Sequence, residues 1–299
     1  MTTTDLPASA VETAPSKSSR DAGGYLLIAP AVVWMTLFLV VPMAMIVYVS
    51  FWTQTTFKIE STLTFASWRT FFSSDTYLTS LWTTIRIWLT VLLTTFVVGY
   101  PTALFVGLFV KNKTVQTTLL VLCVIPFWTS FLIRVLAWRP MLGREGAINI
   151  LLMKAGIIHQ PIEALLFTDL SVVIGMTQIY VVFMVGPIAF MLGRIDPNIL
   201  EAARDLGADF WRVLRKIIFP LSLPGVVVGA MFVSVMVLGE FATSAALSGR
   251  KVNLLGNIIV TEVGSLKWAL ASVVGVILTI IMAIVIAGLL RIVDLKKEL

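Results

Sequence analysis

The chain has 299 residues, of which 58% are hydrophobic and 13% are charged, and its formal net charge is +6. Soluble domains carry about twice that share of charged residues, so the composition excludes an ordinary soluble protein and predicts an integral membrane protein. The basic residues are scattered between apolar runs. They form no contiguous basic segment of the kind that binds nucleic acid, which is therefore not expected as a partner.

The two ends of the chain differ from the rest in composition. Residues 1–23 are rich in Ser, Thr, Ala and Pro without a hydrophobic period, which predicts a disordered tail. The apolar run that follows is too long for the core of a signal peptide and lacks a cleavage pattern, so it is interpreted as a retained first span. Residues 24–294 are predicted to form the transmembrane domain, and residues 295–299 a C-terminal tail.

Six apolar stretches have the roughly 20 residues that a helix needs to cross the hydrocarbon core of a bilayer. The sequence thus predicts an all-α membrane protein with six transmembrane helices. Prolines within these stretches are expected to kink the helices without breaking them. The predicted spans are Tyr25–Phe51, Leu81–Val110, Val115–Trp138, Leu170–Leu192, Pro224–Leu247 and Trp268–Ile292.

The distribution of Lys and Arg between the connections predicts the orientation of the chain. With Arg291 counted on the same side, the N-terminal tail, the turn Lys111–Thr114, the connection 193–223 and the C-terminal tail hold 12 of the 22 Lys and Arg residues, against eight in the opposite connections. Basic residues are enriched in cytoplasmic loops, so both termini are expected in the cytoplasm.

Signals for catalysis or for a bound metal are lacking in the sequence. There is no phosphate-binding loop of the type G-x-x-x-x-G-K-[ST], and so the chain itself is not expected to bind ATP in that manner. The single histidine, His159, has no Cys or paired carboxylates near it at the spacing of metal ligands. Cys123 lies in an apolar run and is interpreted as a small apolar residue that fills space between helices. No catalytic group, metal or cofactor is predicted.

The connection 193–223 carries unusually clear helix signals for a membrane loop. Asp196 is predicted to cap a helix that begins at Pro197, and Gly207 falls where a left-handed residue ends a helix. Asp209 can cap a second short helix, predicted to end at Pro220. These signals predict two short helices joined at a glycine elbow. The alternative is a basic amphipathic loop that lies on the membrane surface. The apolar stripe of the second helix is Phe210, Val213, Leu214, Ile217 and Ile218.

The spacing of Glu201-Ala202-Ala203, Gly207, Ile217 and Pro220 resembles the EAA motif of permease subunits in binding-protein-dependent ABC importers. The segments Leu142–Ile158 and Leu238–Gly249 are similar to loops of the spermidine/putrescine type of permease. The resemblance implies a type I importer permease in a bacterial inner membrane. It also implies that the connection 193–223 is a coupling loop, which docks in a groove of a cytoplasmic ATPase subunit.

The resemblance implies several partner proteins and a set of docking residues. Two ATPase subunits are expected to bind ATP and Mg, a second and homologous permease to form a heterodimer, and an extracytoplasmic binding protein to deliver a small polyamine-like or related solute. A salt bridge between Glu201 and Arg204 within one helix is the alternative to their contacting the ATPase. The expected docking residues are Glu201, Ala202, Ala203, Arg204, Gly207, Ala208 and Phe210.

For the translocation path, Glu240 is the leading residue, since a carboxylate within a span is by default a candidate functional group. One of two interpretations that the sequence supports equally is that it meets a cationic substrate, helped by the aromatic faces of Trp128 and Tyr180. Alternatively it forms a structural ion pair with Arg134 or Arg86. Gln178 is a further candidate, because its amide is costly to expose to lipid. With only this acid in a span, a stand-alone ion-coupled transporter or channel is the less favoured function.

Overall fold

A computed structural model describes residues 28–55, 58–249 and 251–292. The two predicted tails, 1–23 and 295–299, lie outside these residues. Beside a short 3₁₀ turn at Glu163–Leu165, the described residues form thirteen helices and two strands. In chain order these are α1 (Ile28–Val49), β1 (Trp52–Thr55), β2 (Lys58–Leu63), α2 (Ala66–Ser73), α3 (Asp75–Phe109), α4 (Lys113–Trp128), α5 (Phe131–Leu136), α6 (Trp138–Leu142), α7 (Ala147–Lys154), α8 (Asp169–Leu192), α9 (Pro197–Asp205), α10 (Phe210–Leu238), α11 (Ala242–Leu247), α12 (Leu255–Gly264) and α13 (Trp268–Ile292).

The chain divides into a first compact unit that ends at Tyr48 and a second that begins at Val49. Helix α1 accounts for the described part of the first unit and includes a wider π-turn over Thr36–Val40, directly before Pro42. Within the described residues, five helices are long and apolar enough to cross a membrane: α1, α3, α8, α10 and α13. A sixth span is reached if a sharply bent helix pair is counted as one.

The connection after α1 contains regular secondary structure. Strands β1 and β2 form an antiparallel hairpin, and α2 follows with Phe71 fully buried. The ring of Phe71 stacks on that of Tyr77, with 5.6 Å between their centroids. Helix α3 therefore begins at Asp75, several residues before the predicted span at Leu81.

The core of the second unit lies where α3, α8 and α10 pack against one another. Polar side chains link these helices: the indole N–H of Trp88 donates to the hydroxyl of Ser234 at 2.9 Å, and the hydroxyls of Tyr100 and Ser222 lie 3.0 Å apart. Glycines let the backbones approach closely, as is typical of membrane helices. A Cβ atom built on Gly225 of α10 would lie 2.7 Å from the carbonyl oxygen of Pro187 in α8.

We expect Gly225→Ala to destabilise the protein by about 1–3 kcal/mol, because the added methyl group meets backbone atoms that cannot move aside. The matched control is Gly288→Ala in α13, where an added Cβ meets no atom within 4 Å. Alanine favours a helix over glycine, so this control is expected to melt at or above the wild-type temperature. Thermal melting of the purified variants in detergent measures both. A Gly225→Ala protein as stable as wild type would contradict the close packing.

The predicted third span, Val115–Trp138, is wrong as a single helix. Helix α4 ends at Trp128, and the segment from Phe131 to Lys154 leaves it at an angle of 94°. Pro126 has no backbone N–H, and the last turn of α4 tightens to a 3₁₀ helix. The Thr129 hydroxyl then donates to the carbonyl of Pro126 at 2.7 Å. The break is thus built by a proline and the threonine that follows it.

The predicted fifth span, Pro224–Leu247, is also wrong in its bounds. Helix α10 is continuous from Phe210 to Leu238, so the second helix of the coupling loop does not end at Pro220 but runs on into the span. A π-turn over Leu214–Ile218 directly precedes Pro220. This wider turn lies where the proline ring would otherwise clash with the carbonyl four residues earlier.

Candidate functional site

The elbow between α9 and α10 has the Asp196 cap and the glycine end that the sequence predicted, whereas Asp209 lies at the N-cap position of α10 and its side chain makes no capping hydrogen bond within the described residues. The carboxylate of Asp196 accepts a hydrogen bond from the backbone N–H of Asn198 at 2.9 Å, and Pro197 is the first helical residue. At the other end, Gly207 has a φ of +78°. Its N–H donates to the carbonyl of Arg204 at 2.8 Å, while the N–H of Ala208 donates to that of Ala203 at 3.0 Å. These two bonds define a Schellman motif, which fixes the direction of the chain after α9.

The predicted docking residues divide into two groups by exposure. Ala203 and Ala208 are half-buried and pack against the core, so they hold the elbow in place. The others are exposed, and a Cβ built on Gly207 would meet no atom within 4 Å. The exposed members are Glu201, Ala202, Arg204, Gly207 and Phe210.

Glu201 and Arg204 do not form the salt bridge that the sequence left open, as far as the described residues show. Both line a cavity of about 330 Å³ between α9, the start of α10 and the end of α3, to which Phe109 and Lys111 also contribute. Carboxylate, guanidinium and ammonium groups thus share one concave surface. Such a surface offers both signs of charge to a partner protein.

Sequence reasoning missed two residues at the elbow. The Leu206 side chain is 88% exposed and that of Trp211 is 71% exposed. Both lie off the predicted apolar stripe, and this mismatch between residue type and position is the signal that could have identified them. Large apolar side chains exposed next to a positive-φ glycine are typical of a surface covered by a partner.

Glu240 lies in the break between α10 and α11 and is only 7% exposed. One carboxylate oxygen accepts a hydrogen bond from the Tyr180 hydroxyl of α8. The other accepts from the backbone N–H of Thr243 at 2.8 Å, close to the start of α11. The carboxylate therefore joins two helices at a point where the backbone is not helical.

The ion pairs considered for Glu240 are not formed among the described residues. Arg86 pairs instead with Asp169, at the start of α8. Arg134 lies with its guanidinium carbon 4.6 Å from the centre of the Phe127 ring. The prediction of a structural pair with Arg86 is therefore wrong, because the helix packing brings a different carboxylate to that guanidinium.

Gln178 and Arg134 line a second cavity, of about 180 Å³, together with Phe127 and Cys123. The indole N–H of Trp138 donates to the Gln178 side-chain oxygen at 3.5 Å. The Nε atom of Arg134 is buried and has no hydrogen-bond partner among the residues that the structure describes. Trp128 does not line this cavity and is 81% exposed. The structure thus brings together Gln178 and Arg134, and separately Tyr180 and Glu240.

The chain around Glu240 contains buried polar atoms without partners. The Thr243 hydroxyl oxygen and the side-chain oxygen of Asn257 are both buried and accept no hydrogen bond from any described residue. The Asn257 amide nitrogen donates to Ser244 at 3.1 Å. Sequence reasoning missed Asn257, although a polar amide in the apolar run around it is a usable signal. Hydrogen-bond acceptors in this state indicate a place for water or a polar ligand.

Apolar spans, a capped elbow exposed between two of them and buried polar groups at a helix break are the features of a membrane transport subunit. A sequence model of the family described as the binding-protein-dependent transport system inner membrane component matches residues 99–298. The chain belongs to this family. It is a multi-pass permease subunit of an ABC importer in the inner membrane.

Curated relatives and solved structures agree with this membership. The chain is 31% identical to the spermidine/putrescine transport system permease protein PotB of Haemophilus influenzae over 254 residues, which cover 85% of this chain and 88% of the relative. It is 32% identical to PotB of Escherichia coli strain K12 over 87% of this chain and 94% of the relative. A bacterial importer of the acidic polysaccharide alginate shares the type I permease fold, with a TM-score of 0.73 at 18% identity over 92% of this chain and 96% of that one.

Proposed function

We propose that this permease passes a polyamine-class cation through the membrane. The observation that carries the proposal is the buried Glu240 carboxylate, which lies near hydrogen-bond acceptors of Thr243 and Asn257 that have no donor. An ammonium group supplies several donors and a positive charge, and it would satisfy such acceptors. The names of the PotB relatives support the same substrate class. The path residues are Glu240, Tyr180, Gln178 and Arg134, with Trp128 at the exposed surface.

The elbow is the proposed docking site for the ATPase subunits. Ala203 and Ala208 fix its position, while Glu201, Arg204 and Phe210 offer charge and apolar surface to a partner. ATP and Mg would bind to two copies of that ATPase and not to this chain. A homologous second permease completes the pathway, and an extracytoplasmic binding protein delivers the solute. Both termini lie in the cytoplasm in this arrangement, as the Lys and Arg distribution predicts.

Uptake by the reconstituted complex tests this function. We expect proteoliposomes that contain the chain, its co-purifying subunits and the binding protein to accumulate labelled spermidine only when ATP is hydrolysed. A proteoliposome with a non-hydrolysable ATP analogue is the control. Spermidine uptake by the purified chain alone, driven by an ion gradient and indifferent to ATP, would contradict the proposal. ATP-dependent uptake of an uncharged solute in preference to spermidine would contradict the substrate class alone.

A further inference from the structure

The first turns of α10 present an exposed basic face beside the docking elbow. Trp211, Arg212, Arg215 and Lys216 line a shallow groove of about 290 Å³ on this face. The opposite face of the same turns is buried, with Val213 3% exposed and Ile218 4% exposed. The helix is therefore firmly held on one side, and its cationic side is free.

The continuity of α10 fixes the level of this groove relative to the membrane. Past Lys216 the exposed face becomes apolar, beginning with Phe219 and Leu221, in a helix that continues unbroken to Leu238. At about 1.5 Å per residue, Arg215 and Lys216 lie roughly 5–6 Å before Phe219 along the axis. The 20 residues from Phe219 to Leu238 are enough to cross the hydrocarbon core, and with its boundary at Phe219 both cations would lie in the headgroup layer, which is about that thick.

The charges of the groove are only partly compensated within the chain. The Nε atom of Arg212 lies 3.8 Å from a carboxylate oxygen of Asp209, and both side chains are exposed. Arg215 and Lys216 have no ion-pair partner among the described residues. Arginine binds phosphate oxygens in pairs, lysine adds a point charge, and an exposed tryptophan such as Trp211 is typical of the membrane interface.

We propose that this groove binds the phosphate of an anionic phospholipid of the inner membrane. The headgroup phosphate lies against Arg215 and Lys216, with the indole of Trp211 beside it. The acyl chains follow the apolar face that starts at Phe219. This adjoining apolar surface favours a lipid over free phosphate, because free phosphate has no acyl chains to contact it. The site is separate from the proposed substrate path and adjoins the docking elbow, with Trp211 at the boundary between them, and lipid binding can be measured without transport.

Native mass spectrometry of the full-length chain in detergent tests the proposal, with phosphatidylglycerol and phosphatidylcholine as probes. We expect phosphatidylglycerol to bind at least about tenfold more tightly, since each basic residue at the surface contributes roughly 1 kcal/mol. The double variant Arg215→Gln/Lys216→Gln is expected to lose this preference. The matched control, Lys154→Gln/Lys251→Gln, removes two exposed cations elsewhere and is expected to retain it.

Equal binding of the two lipids by the wild-type chain would overturn the proposal, as would an unchanged preference in the double variant. Should that variant fail to fold, Lys216→Gln alone must weaken the preference and Arg215→Lys must keep it. Displacement of the lipid by millimolar inorganic phosphate would identify a free-phosphate site instead. Loss of the bound lipid on adding the ATPase subunit would assign the groove to the docking surface. Either of these last two results also overturns the proposal.

Discussion

Gly207→Asp is expected to lower both uptake and substrate-stimulated ATP hydrolysis by about tenfold or more, while the chain still inserts and purifies. We expect loss of docking without loss of folding, because a Cβ atom built on Gly207 meets no atom within 4 Å in the described part of the chain. Aspartate also tolerates the left-handed region better than most residues, so the Schellman motif should persist. A clash or a buried charge at the partner surface costs a few kcal/mol, and each 1.4 kcal/mol is tenfold in binding.

Gly156→Asp is the matched control for this variant. Gly156 has a φ of +70°, and a Cβ atom there also meets no described atom within 4 Å. It lies just after α7, in the connection from α7 to α8, away from the elbow. We expect its ATPase activity and uptake to match the wild type. If Gly207→Asp couples hydrolysis to uptake as the wild type does, the elbow is not the docking site. If both variants lose activity equally, backbone strain explains the loss and docking does not.

Glu240→Gln is expected to lower kcat/KM for spermidine uptake by about tenfold or more, because it removes the negative charge that faces a cation in a water-poor site. Glutamine has the same shape, and its oxygen can still accept from the N–H of Thr243. The Tyr180 hydroxyl then faces the amide nitrogen, which cannot accept its hydrogen bond, so this contact can form only with the hydroxyl oxygen as the acceptor. Glu240→Asp keeps the charge and is expected to retain more uptake than Glu240→Gln. Uptake kinetics at several spermidine concentrations measure both variants.

Glu262→Gln provides the control, since Glu262 is the other buried carboxylate bonded to a tyrosine in the described part of the chain. It accepts from the Tyr77 hydroxyl at 2.9 Å and is 9% exposed. We expect a lower melting temperature for both glutamine variants, but impaired uptake only for Glu240→Gln. Equal losses of uptake in the two variants would indicate a structural role for both carboxylates. Wild-type affinity and rate in Glu240→Gln would remove Glu240 from the path.

Local signals in the sequence were sufficient for the elbow. Asp196, Pro197 and Gly207 act through bonds to residues at most three positions away, so their pattern is readable without the fold. The end of the second helix was not predicted correctly, since Pro220 usually ends a helix and here a π-turn accommodates it. Propensity rules do not include that rearrangement.

Contacts between distant segments could not be derived from the sequence. The partner of Arg86 is Asp169, 83 residues away, and the choice between it and Glu240 depends on how α3 and α8 pack. The break after Trp128 is a related case, because prolines within other spans leave their helices intact. Whether a proline kinks or breaks a helix is decided by the hydrogen bonds that neighbouring groups supply.

The uninterrupted course of α10 has a mechanical consequence. Its 29 residues form a rod of about 43 Å, with the glycine elbow just before one end and Glu240 just beyond the other. In a rigid lever of this length, a tilt of about 5° around the midpoint displaces each end by about 2 Å. A break at Pro220 would have made a joint there and absorbed such a tilt. In the proposed function, the π-turn that keeps the helix continuous would let a push at the elbow reach the buried carboxylate beyond the other end of α10.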